Sequence, residues 1–184
     1  MATGAIIGFD VGRLLGFAAG MPGTMPESST VALSKPGGAL SLQAAALIAF
    51  LDKTFREYRP ALVAKEAPFS LAAFSDHHVN EAAVRSAFGL HCIIDGMCRR
   101  FGIPCHEAAV ATVTKHFTGK ARHGGRTPRK RAIMQRCRVL GYVPADCRDE
   151  DRCDALCVWD WAAATLARVP PKELVLFNEG AVAA

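Results

Sequence analysis

An α/β fold built on a mixed sheet of five strands is what this sequence predicts, and three observations carry the prediction. Short apolar runs bounded by glycine or proline alternate with longer segments of helical period; the first three runs follow one another closely; the last two are separated by helix-length stretches. Strands joined by short connections pair antiparallel, whereas strands separated by a helical crossover pair parallel. Three antiparallel strands followed by parallel ones, flanked by helices, are therefore expected.

Residues 5–10 are apolar up to Asp10 and form the first strand. Gly12 and Arg13 turn the chain into a second strand over residues 14–19, ended by Gly20. A connection rich in proline and glycine leads to a third strand over residues 29–34, closed by Pro36, Gly37 and Gly38. Ser41 is placed to cap a helix running to Tyr58, in which Leu42, Ala45, Ala46, Ala49, Phe50 and Lys53 recur at a period near 3.6, and Pro60 lies just past its end. Residues 61–66 are the fourth strand, stopped before Pro68. An alanine-rich helix spans about residues 80–101, with Gly102 after it, and residues 103–107 are the fifth strand. The rest is helical apart from a glycine-rich basic loop at residues 118–127. Pro128 suits the first turn of a helix reaching Val139, Gly141 ends it, and a last helix runs from about residue 149 to 167. Pro170 and Pro171 begin a short flexible tail. With 184 residues, no linker and no internal repeat, one domain is expected.

Hydrophobic residues make up 51% of the chain, enough for a sizeable core and too many for a disordered one. The apolar run at residues 5–9 is broken by Asp10 and Arg13 before it reaches the length of a secretory signal, and no stretch approaches the ~20 apolar residues of a membrane helix. A cytoplasmic protein without a membrane partner is the expectation. Seven cysteines without a Cys-x-x-Cys pair point to reduced, mostly buried thiols, and Cys147, Cys153 and Cys157 are the only cluster that suggests structural zinc.

The formal net charge of +5 is a mild sign of a polyanionic partner, and its distribution is a stronger one. Between Ala108 and Ala145 there is no Asp or Glu, yet this stretch holds Lys115, Lys120, Arg122, Arg126, Arg129, Lys130, Arg131, Arg136 and Arg138. Lys and Arg bind phosphates whatever the base sequence. Lys120, Arg122, Arg126, Arg129, Lys130 and Arg131 are thus candidate DNA contacts, with Gly124 and Gly125 allowing close backbone approach. A solvated basic helix face is the plain alternative. His77, His78, His116 and His123 show no comparable pattern.

Two carboxylates stand at the ends of apolar strands, Asp10 and Glu66, where a buried charge is costly unless paired or metal-bound. The last helix adds Asp151 and Asp154, whose i, i+3 spacing puts them on one face just before Ala155, Leu156, Val158 and Trp159. Hard divalent cations prefer such oxygens, and a Mg²⁺ or Mn²⁺ pair about 3.5–4 Å apart needs a bridging carboxylate with flanking ones. Four acids on three elements meet that need, with Asp10 as the bridging candidate. Singly, Asp10 could be a turn residue, Glu66 a partner of Lys65, and Asp151 a capping residue in competition with Asp149 and Glu150.

At these positions the sequence resembles RuvC-type Holliday junction resolvases, compact bacteriophage-like members in particular. Ile6-Ile7-Gly8-Phe9-Asp10-Val11-Gly12, with Gly16-Phe17-Ala18 after it, is similar to the family's first-strand motif; Leu62-Val63-Ala64-Lys65-Glu66 to its second; and Asp151-Arg152-Cys153-Asp154-Ala155-Leu156 to its third. The resemblance implies a ribonuclease-H-like fold. It also implies metal ligation by Asp10, Glu66, Asp151 and Asp154, a catalytic DNA-contacting Lys115 beside Thr118-Gly119, and an aromatic, Phe69, near the junction centre. It implies a homodimer that nicks opposing strands of a four-way junction; the alanine-rich helix at residues 80–101 is the candidate dimer element, although an alanine-rich face is equally an ordinary core face. Lys65 and Pro68 beside Glu66, and the Gly- and Arg-rich loop at 119–126, depart from the family pattern.

Two other readings stay open: a nuclease of the same fold acting on other branched or single-stranded DNA, and a junction-binding module without catalysis. An actin-like ATPase, suggested by Asp10-Val11-Gly12, needs two subdomains and an adenosine-binding glycine motif that this sequence lacks. No nucleotide cofactor is expected.

Overall fold

The apolar runs become strands β1 (Ile6–Asp10), β2 (Leu14–Gly20), β3 (Glu27–Ala32), β4 (Leu62–Glu66) and β5 (Cys105–Ala108), and the helical segments become α1 (Leu40–Tyr58), α2 (Glu81–Phe101), α3 (Val110–Thr118), α4 (Arg126–Val139) and α5 (Glu150–Thr165). The computed structural model describes residues 4–68 and 81–167. Phe69, His77, His78, Asn80 and the tail expected from residue 170 lie outside the described residues. The strands form one sheet in the order β3-β2-β1-β4-β5. β1 pairs antiparallel with β2 and β2 with β3, whereas β1–β4 and β4–β5 are parallel. The predicted mixed α/β sheet, three antiparallel strands and then parallel ones, is the observed one.

Side chains alternate across a strand, and here the alternation divides two cores. Ile7, Phe9, Leu15, Phe17 and Val63 face α1 and α2. Ile6, Ala18, Leu62 and Ala64 face α3, α4 and above all α5. Asp10 follows Ile6 by four residues and Glu66 follows Leu62 by four, so both carboxylates belong to the α5 face, at the carboxyl ends of neighbouring strands. Lys65, the unexpected neighbour of Glu66, turns to the opposite face.

Several boundaries differ from expectation; β5, expected over 103–107, starts at Cys105. β3 lies two residues earlier than 29–34, because its register against β2 pairs Ala32 with Leu14 and Glu27 with Ala19; its polar residues show no alternation that could have fixed this. α1 starts at Leu40 after Ala39, without a side-chain cap, so Ser41 lies within the first turn. α4 starts at Arg126 behind Gly125, with Pro128 inside its first turn. All seven cysteines are free, and Cys98, Cys137, Cys153 and Cys157 are buried. Among the described residues no helix is long and apolar enough to cross a membrane.

Candidate active site

The position of α5 is set by glycines beneath it. A Cβ on Gly8 would lie 2.6 Å from the Trp159 backbone nitrogen, and one on Gly16 only 2.1 Å from the Asp151 carbonyl oxygen. The helix backbone therefore rests directly on β1 and β2, which brings its first turns beside Asp10, itself paired with Gly16. Asp149 is the N-cap: its side chain accepts from the Arg152 amide at 3.0 Å and from the Thr30 hydroxyl at 2.7 Å. Arg152 in turn donates to Ser28 at 2.7 Å. The capping role open to Asp151 is thus filled by Asp149, and Asp151 and Asp154 face inward with Asp10 and Glu66.

All four acids line one cavity of about 760 Å³ at the carboxyl ends of β1 and β4. One wall is α4, through Arg126, Arg129 and Lys130; the other is α2, through Ala83, Ser86, Ala87, Leu90 and His91. Asp154 and Glu66 are buried, at 2% and 8% exposure. Burial, then repulsion from Asp154 and Glu66, raises the Asp10 carboxyl well above the usual range, against the pull of Lys130. Burial and Asp154 push Glu66 up to about 7, with Arg129 and Lys130 opposing. Asp154 is raised by burial despite Lys130 and Arg129. These acids crowd one another at a cost that a cation would relieve.

The cations that reach the acids are Lys130 and Arg129. Lys130, 6% exposed, places its ammonium 3.0 Å from Asp154, 3.4 Å from Glu150 and 3.5 Å from Asp151. Arg129 stands 3.8 Å from Glu66, too far for a hydrogen bond. Glu66 Oε1 and Asp154 Oδ1 remain buried without a hydrogen-bond partner. Unpartnered, all-oxygen donors fit a hard divalent ion, although among the described residues no three acidic, His or Cys side chains are placed closely enough to enclose one.

The remaining candidates fall into two groups. Arg126 and Arg129 face the cavity with Lys130, whereas Lys120, Arg122 and Arg131 are exposed outside it. Lys115 is exposed on α3 and does not line the cavity. Phe69 is outside the described residues. Sequence reasoning placed Lys130 among DNA contacts and missed its contact with the acids; the i, i+4 spacing of Arg126 and Lys130, with Arg129 between, was the available signal that they share a face. It also missed the network around the buried Lys65 and His91. There Lys65 bridges Glu107 at 2.6 Å and Asp95 at 3.3 Å and donates to His91 at 3.2 Å.

The sheet order and the crossing of α5 over β1 define a ribonuclease-H-like fold. Two solved structures of Thermus thermophilus RuvC are similar to it. One aligns with 90% of this chain and 97% of its own, at TM-score 0.62 and 17% identity. The other, in complex with a Holliday junction substrate, aligns with 91% and 97%, at TM-score 0.66 and 17% identity. The yeast mitochondrial Holliday junction resolvase Ydc2 aligns with 85% of this chain and 76% of its own, at TM-score 0.57 and 9% identity. No protein-family model matches the sequence, and no curated protein aligns with it. The similarity lies in the fold, and these bacterial and mitochondrial structures lend no support to a bacteriophage-like kinship.

Proposed function

We propose that this chain is a divalent-metal-dependent endodeoxyribonuclease that resolves four-way DNA junctions by paired nicks. The observation that carries the reading is the convergence of Asp10, Glu66, Asp151 and Asp154, with unpartnered buried oxygens, on a cavity walled by Arg126, Arg129 and Lys130. The similarity to RuvC with a bound Holliday junction supports the choice of substrate.

Asp10, Glu66, Asp151 and Asp154 would hold two Mg²⁺, with Mn²⁺ as a substitute. When bound, such ions supply an activated water and charge stabilisation for the leaving oxygen. The protein's own contribution is positional. β1 and β4 fix Asp10 and Glu66, α5 fixes the other pair, and Arg126 and Arg129 orient the phosphate backbone at the cavity wall. Lys115, Lys120, Arg122 and Arg131 extend the backbone contact, and Phe69 meets the junction centre. Paired nicks require two sites, which a homodimer through α2 would supply.

The test is a synthetic four-way junction incubated with Mg²⁺ or Mn²⁺. Paired symmetric nicks are expected, and Asp10→Asn, Glu66→Gln, Asp151→Asn and Asp154→Asn should each slow them by about a hundredfold or more, the scale of losing preorganised charge stabilisation. Binding without cleavage in either metal would identify a junction-binding module instead. Equal cutting of linear duplex would identify a nuclease of other specificity. Light scattering of the free protein checks the dimer.

A further inference from the structure

The acidic centre already contains a cation of its own. Lys130 reaches from α4 into the carboxylates and places its ammonium within 3.5 Å of Asp154, Asp151 and Glu150, at 6% exposure. It takes Asp154 Oδ2 and Asp151 Oδ1, oxygens of the acids assigned to metal, and leaves Asp154 Oδ1 unpartnered. We propose that Lys130 is a built-in counter-cation of the acidic centre that divalent metal must displace, and that displacement releases its ammonium into the cavity toward a DNA phosphate. The proposal rests on the metal-site reading above.

Three physical points favour exchange over a permanent clamp. A divalent ion binds carboxylate oxygens at about 2.0–2.1 Å for Mg²⁺, and an ammonium on the same oxygens would face it at a separation where like charges repel strongly. Lysine is a compact point charge on a flexible four-carbon stem, so it can leave without moving the helix; a guanidinium fork would be harder to relocate. Lys130 also lines the cavity, so its ammonium has an adjoining space to enter. Before metal arrives, Lys130 keeps the site from gathering four uncompensated acids; afterwards the same charge serves the substrate.

The experiment is calorimetric titration with Mn²⁺, without DNA, of the wild type, Lys130→Met, Lys130→Gln and Asp154→Asn, each checked by circular dichroism. Lys130→Met and Lys130→Gln should bind Mn²⁺ at least tenfold more tightly than the wild type, and Asp154→Asn much more weakly. In chelator the two lysine variants should melt below the wild type and recover more on adding Mn²⁺. Should the lysine variants fail to fold, the side-chain nitrogen resonance of Lys130 in the wild type decides: its ammonium protons should be protected without metal and lose protection with saturating Mg²⁺. Equal or weaker Mn²⁺ binding by a folded lysine variant, or an ammonium unmoved by Mg²⁺, overturns the proposal. If the wild type binds Mn²⁺ through Asp154 but the lysine variants gain nothing, the metal site stands and the counter-cation fails. If no variant binds Mn²⁺, both fail together.

Discussion

His91 shows how one buried ring reports on the wall of the cavity. It lies on α2 with Lys65 of β4 3.2 Å away, Glu107 of β5 at 3.8 Å and Asp95 one turn further along its own helix. Burial, and then the Lys65 ammonium, push the imidazole down to about 4, while Glu107 and Asp95 pull the other way. An imidazole depressed in the folded state is protonated more readily in the unfolded chain, so its contribution to stability is complete above about 6.5 and is lost as pH falls through about 4. The full span corresponds to roughly 3 kcal/mol, and at 6% exposure it is little reduced by solvent screening. Replacing His91 by Gln should remove that acid-side slope: denaturant melts of wild type and variant should converge as pH is lowered from 7 to 4. A stability difference that stays constant over that range would show that the ring does not titrate with folding.

At the level of elements, the contact of α5 with β2 controls where two of the four acids stand. Gly16 leaves no space for a methyl group, since the nearest atom is the backbone oxygen of Asp151 at 2.1 Å, which cannot rotate away. Gly16→Ala must lift the first turn of α5 from the sheet, at a cost of about 1–3 kcal/mol by analogy with overpacked cores. It should also move Asp151 and Asp154 away from Asp10, so junction cleavage should drop far more than the loss of folded protein explains. Cleavage assayed at a temperature where both proteins are fully folded checks this, and unchanged rates there would mean that α5 tolerates the shift. The elements that carry this site were largely legible in the sequence. Asp10 and Glu66 stood out because each ends an apolar run, and Asp151 and Asp154 because their spacing shares a helix face with core residues. The two glycines under α5 were not legible as contacts, because nothing in the pattern of β1 and β2 states which helix will lie on them. The contacts of Lys130 and Lys65 were not legible for a related reason. Each is a charged side chain whose acidic partners lie twenty or more positions away, and local periodicity carries no information about such partners. The edge strand β3 slipped by two residues because its polar sequence satisfies either register.

Over the whole molecule, the opposed placement of charge makes a prediction that no single contact makes. Acids gather inside the cavity, whereas the acid-free stretch from residue 108 to 145 lays its cations along one wall and outward from it. Cations on the rim attract the phosphate backbone at long range, and the acids act only where metal or Lys130 offsets them. Junction binding should therefore weaken steeply with salt, the logarithm of the association constant falling linearly with the logarithm of salt concentration by about 0.9 for each phosphate neutralised in duplex arms. Arg126→Ala and Arg122→Ala should each reduce that slope by about 1, and weaken binding alike for junctions of different sequence. Asp10→Asn, which alters the interior and leaves the rim intact, should leave the slope unchanged while abolishing the nicks. Fluorescence anisotropy of labelled junctions across a salt series separates these cases. A flat salt dependence, or an arginine substitution whose effect is confined to one junction sequence, would mean that the basic face does not track the backbone and that recognition is carried elsewhere on the protein.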